Sequence, residues 1–252
     1  MRSAEQDFRA ALDSNPDSAR ARINLGSTLV LLGRPAEAVE EYRQALALEP
    51  GNLTAHYNLG HVLVKAGQGG AAVEHLEPVL AAEPEDAEAQ ELMAQAREQH
   101  GNVEAALEHY KKAVRLNQRA EGSWMGGAQL LVRLERYAEA VNVLEQAHRS
   151  LPGSLRIAHA LAKMRAGVPD LKLRNGEQAL SLAERVAAAE PSPLYLQTLA
   201  MAHAESGQCA EAAAAQQRAL DRASDLGLAG AERLQPMLLF YREQRPCRYP
   251  GN

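Results

Sequence analysis

Aromatic side chains are scarce: one Trp, two Phe and seven Tyr among 252 residues. So few large rings cannot dominate a central core, and the abundance of Ala points to helices packed closely instead. Cysteine is nearly absent. Cys209 and Cys247 are too few and too far apart for a disulfide framework, and two free thiols are expected. No run of 18 apolar residues occurs, which excludes a membrane-spanning helix. The opening segment MRSAEQDFRAALDSNPDS lacks the apolar core of a signal peptide, so the chain as it stands reads as cytoplasmic. Blocks of Lys and Arg are missing, and the net charge is −5, which argues against nucleic acid and anionic membranes as partners. The phosphate-loop, HExxH, GxSxG and CxxC signatures are all lacking. His56 and His61 stand five apart, a poor spacing for one metal ion. No catalytic residue, metal site or cofactor is assigned, and the chain does not read as an enzyme.

What is present is a period of 34 residues. Pro50 and Pro84 lie one period apart, and Pro152 follows two periods later. Ala38, Ala72, Ala106 and Ala140 form a second series, and Gly26, Gly60, Ala94, Ala128 and Ala162 a third. A fixed period of this size means stacked supersecondary units. Within each unit the apolar residues recur at i, i+3, i+4 and i+7, the spacing of one helix face. Small residues allow two helices to approach, and a Pro ends the second helix. Gly33, Gly67 and Gly101 fall where the first helix needs a left-handed cap.

These residues resemble the tetratricopeptide repeat. Residues 19–52 supply Leu25, Gly26, Leu29, Ala38, Tyr42, Ala45 and Pro50 in the family's register, with Arg22 departing from the large residue at position 4. Residues 121–154 supply Trp124, Ala128, Leu131, Ala140, Leu144, Ala147 and Pro152. The resemblance implies an all-α, right-handed superhelical solenoid of antiparallel helix pairs. It divides the chain into a half repeat or N-terminal cap over 1–18 and repeats at 19–52, 53–86, 87–120 and 121–154. Repeats at 155–192, with an insertion, and 193–227 follow, then a capping helix and tail over 228–252. The half repeat, with Phe8 but no matching first helix, suggests a longer parent chain and an open face suited to weak self-association. Pro78 and Pro236 are expected to kink or split their helices.

The resemblance also implies a function: a non-catalytic scaffold that binds a protein or peptide segment in its concave groove. From Leu155 onward the chain is similar to the tails of bacterial multi-repeat proteins, in which repeats often follow an enzyme domain. A substrate-recognition or assembly arm of a glycosyltransferase-like enzyme is therefore the rival reading. Family groove positions map here to Asn24, Ser27, Tyr57, Asn58, His61, Lys65, Glu88, Glu91, Gln95, Glu98, Gln129 and Arg133. Asn24 and Asn58 resemble the asparagine ladder of O-linked N-acetylglucosamine transferase repeats, because an amide can hold a peptide backbone through both a donor and an acceptor. Leu92 and Gly126 replace the next two rungs. Ile23, Thr54, Asn58 and Leu92 stand where a carboxylate clamp would need basic residues. The glycines Gly122, Gly126 and Gly127 beside Trp124 serve either close packing or a ligand backbone in the groove.

Overall fold

The structure, a computed structural model, describes residues 2–243 and 247–248. The described residues are helical throughout, with no strand among them. α1 (Arg2–Ser14) stands first. Helix pairs follow: α2 (Ala19–Leu31) with α3 (Pro35–Leu48), α4 (Leu53–Lys65) with α5 (Gly69–Ala82), and α6 (Ala87–Gln99) with α7 (Val103–Leu116). Next come α8 (Glu121–Arg133), α9 (Tyr137–Ser150), α10 (Leu155–Gly167), α11 (Gly176–Ala189), α12 (Pro193–Glu205), α13 (Cys209–Asp225) and α14 (Gln235–Glu243). Short 3-10 helices at Leu171–Leu173 and Ala231–Leu234 precede α11 and α14. The chain divides into two compact units, 1–127 and 128–252, with α8 running through the boundary.

Several first helices start at a side-chain cap. Ser18, Asn52, Asp86 and Ser154 cap their helices, each side chain accepting the backbone N–H three residues on. The turns inside the pairs α2/α3, α4/α5, α6/α7 and α8/α9 each have a left-handed residue. Gly33, Gly67 and Gly101 adopt φ of 74°, 73° and 87°, as the spacing predicts, while Glu135 takes the same role at φ 58°.

The two helices of a pair meet where a small residue faces a large one. A Cβ on Gly26 would lie 2.6 Å from the Tyr42 ring, so only glycine allows this approach. Tyr42 and Ala45 are 2% and 0% exposed. The equivalent face of α1 is more open: Phe8 and Leu12 are half-buried against the core of the first unit, and Ala11 is exposed.

Position 4 of the repeats carries a hydrogen-bond device that apolar patterning does not reveal. Arg22, His56, Gln90 and Trp124 all reach back six residues, to the carbonyls of Pro16, Pro50, Pro84 and Gln118 at 2.9, 3.0, 2.8 and 3.0 Å. Three of the four also hold their own second helix, Arg22 through Glu41, His56 through His75 and Gln90 through His109. Arg22 therefore does not depart from the pattern. It supplies the same N–H donor from a different side chain.

Three other expectations need correction. α5 runs unbroken through Pro78. Pro236 lies in the first turn of α14, where a missing N–H costs nothing, so it starts that helix instead of splitting it. The cysteines are not free thiols. Cys209 and Cys247 form a disulfide with Cα atoms 5.6 Å apart, which ties a residue beyond α14 to the first turn of α13. The insertion after α10 is pinned by a buried ion pair: Arg174 meets Glu205 at 3.0 Å, with side chains 4% and 9% exposed. Arg165 donates to the Leu173 carbonyl and closes the same loop.

Candidate functional site

In the first unit α2 packs beside α4 and α4 beside α6, which sets the first helices of three pairs next to one another. The positions read as groove-lining meet there in two groups. The first is neutral. Ser27 donates to the Ile23 carbonyl and shares a 3.1 Å hydrogen bond with the Tyr42 hydroxyl. Asn58 reaches across from α4 and donates to Ser27 Oγ at 3.4 Å. The two-rung amide ladder is thus partly engaged by the protein itself, while Asn24 is half-buried one turn before Ser27. His61, one turn beyond Asn58, is held neutral to lower pH than usual by burial and the nearby Lys65, which is exposed.

The second group is acidic. Tyr57 on α4 donates its hydroxyl to Glu88 on α6 at 3.4 Å. Burial, Glu88, Asp86 and Glu91 together push the Tyr57 phenol up to about 12. Burial is the main cause, and the neighbouring carboxylates add to it. Gln95 donates to Glu91 at 3.3 Å, and Ser123 of α8 donates to the other oxygen of the same carboxylate. Glu98 accepts from the Tyr110 hydroxyl at 3.0 Å. Glu88 is the exposed member of the three, and Glu91 and Glu98 are half-buried.

Sequence reasoning missed Ser123 and Asp86. A serine at position 3 of a repeat has no pattern to single it out, and Asp86 reads as a helix cap. The glycines are now assigned. A Cβ on Gly126 would lie 2.6 Å from the Tyr110 ring, and one on Gly122 would strike Glu91. Tyr110 and Glu91 occupy the space that a ligand backbone would need, so these glycines serve packing. Gln129 and Arg133 are exposed, on the part of α8 that belongs to the second unit.

In the second unit a residue of α10 bonds to one of α12. His159 on α10 meets the Thr198 hydroxyl on α12 at 2.9 Å and lies against the Tyr195 ring. Burial, with a contribution from Lys163, brings the His159 imidazole down to about 4. Among the described residues no group of three His, Cys, Asp or Glu could hold a metal ion. No helix among them is long and apolar enough to cross a membrane.

Helix pairs in a 34-residue period, with small residues facing rings and an internal polar face, define an all-α helical-repeat protein. Comparison with known families supports that class and names it. Tetratricopeptide repeat models match residues 2–52 and 29–96, and a model described as anaphase-promoting complex, cyclosome, subunit 3 matches residues 67–147. The chain is a tetratricopeptide repeat protein.

Solved structures agree on the fold. A tetratricopeptide repeat protein from Parabacteroides merdae is 19% identical, with 96% of this chain and 92% of that one covered and a TM-score of 0.62. PilF of Pseudomonas aeruginosa is 17% identical, covering 88% and 96%, with a TM-score of 0.66. YrrB, a tetratricopeptide repeat protein with an unusual peptide-binding site, is 22% identical over 73% of this chain and 92% of its own, with a TM-score of 0.57. No curated protein matches the chain.

Proposed function

We propose that the chain is a non-catalytic interaction scaffold. The face formed by α2, α4 and α6 takes a protein segment carrying Lys or Arg opposite Glu88, Glu91 and Glu98. The observation that carries this reading is the set of carboxylates Glu88, Glu91 and Glu98 along α6, with Tyr57 of α4 donating to Glu88, beside the amides Asn24 and Asn58 on adjacent first helices. Carboxylates select a cationic side chain, and amides hold a backbone without reading its sequence. The similarity to YrrB supports a peptide as the occupant.

The test is fluorescence anisotropy with labelled Lys/Arg-rich, neutral and Glu-rich peptides, on the native chain and on Glu88→Lys, Glu91→Lys and Glu98→Lys together. The basic peptide should bind best, and the triple variant should lose about tenfold or more in affinity, the scale of one or two charge-assisted contacts. Circular dichroism keeps a folding defect separate, because Glu91 and Glu98 also accept internal hydrogen bonds. Equal binding of all three peptides, or unchanged affinity in the folded variant, overturns the reading.

A further inference from the structure

We propose that the Cys209–Cys247 disulfide is a reversible latch, which holds the terminal helix α14 over α13 when oxidised and lets it leave when a dithiol reduces it. The two cysteines are 38 residues apart. Between them the chain runs along the 17 residues of α13, turns through Gly227 and Gly230, both at positive φ, and comes back along α14. Cys247 therefore lies beside the first turn of α13.

The helix that the disulfide ties down is short. The helix has nine residues, fewer than an isolated helix needs to persist in water. Leu238 and Tyr241 are its buried anchors, and its outer face leaves Leu239 half exposed. Across the contact Gln216 donates to the Leu234 carbonyl at 2.9 Å and Arg242 to Gln217 at 3.1 Å. The covalent bond is the strongest tie in this cap.

The pair is also built asymmetrically. Cys209 is the first residue of α13 and partly exposed, whereas Cys247 is fully buried. An incoming thiolate from a dithiol therefore attacks Cys209 Sγ. The S–S electron pair leaves on Cys247 Sγ, which takes up a proton as the tail opens. The second thiol of the reductant loses its proton and attacks the mixed disulfide. Cys209 leaves as a thiolate, which the positive end of α13 stabilises until it is protonated. Two electrons and two protons pass to the protein, and the reductant becomes a disulfide. The reverse exchange with an oxidised carrier closes the latch.

Thiol labelling with mass analysis, paired with hydrogen exchange on the full chain, tests this. Before reductant neither cysteine should label. Dithiothreitol under native conditions should make both label and should raise exchange in 235–243 on the order of 100-fold, leaving α2–α7 unchanged. Oxidised dithiothreitol should reverse it, and Cys209→Ser should show the open pattern without reductant. Four results would overturn the latch: label taken up before reductant, no reduction without denaturant, full reduction with α14 exchange unchanged, or loosening that spreads through α10–α13. The last would make the bond a staple of the whole second unit.

Discussion

Arg22, His56, Gln90 and Trp124 have little in common except an N–H that reaches the carbonyl six residues back. A Pro or its equivalent ends the preceding helix there and leaves that carbonyl without an intrahelical partner. Gln90 is the most buried of the four, 1% exposed, and also accepts from His109 Nδ1 at 2.7 Å. Gln90→Leu should therefore destabilise the chain by about 1–3 kcal/mol in urea unfolding, since it strands two buried polar groups. A large side chain at this position is legible in the sequence. Its donor role is not, because the carbonyl it serves is invisible to any pattern of apolar residues.

The histidines give a prediction with a definite sign. His61, His75, His109, His148 and His159 are all lowered, chiefly by burial, and His159 reaches about 4. A folded-state value below the unfolded one means that the unfolded chain binds protons more readily. The histidine contribution to stability is therefore complete above about pH 6.5 and is lost as pH falls toward 4. Thermal melts should show Tm falling over that interval. A Tm that stays flat from pH 7 to pH 5, against those unfolded-state values, would contradict the burial of these rings.

The starts of the first helices were legible from the 34-residue register, and Ser18, Asn52, Asp86 and Ser154 prove to cap them locally. Close approaches between helices were legible only where a glycine recurs in register. Gly126 falls outside that register, and its reason is the Tyr110 ring of the preceding repeat. Gly126→Val should cost about 1–3 kcal/mol by overpacking, measured by the shift in urea midpoint. The insertion loop is set by a long-range partner. Arg174 finds Glu205 31 residues away, a pairing that sequence spacing does not suggest. Glu205→Gln should lower stability, read as a lower urea midpoint, since it removes the charge of a buried ion pair. The disulfide was illegible for the same reason. A loop of 38 residues carries no local signal, yet its closure can be worth about 4 kcal/mol to the C-terminal cap.

At the scale of the whole molecule the 34-residue period announced the helical repeat, because one repeating unit sets both the helix pair and its packing on the next. The candidate site was legible in part. Asn58, Tyr57, Glu88 and Glu91 do lie on neighbouring first helices, but Ser27 and Asn58 bond each other and Ser123 holds Glu91. Family positions tell which residues line a face, and only the packed side chains tell which of them remain free to bind.

The most direct test of the account is hydrogen exchange of the full chain with and without a Lys/Arg-rich peptide at saturation. Binding on the proposed face predicts protection concentrated in α2, α4 and α6, with α3, α5 and α7 unchanged. Protection confined to α3, α5 and α7, or absent while the peptide is bound, would contradict it.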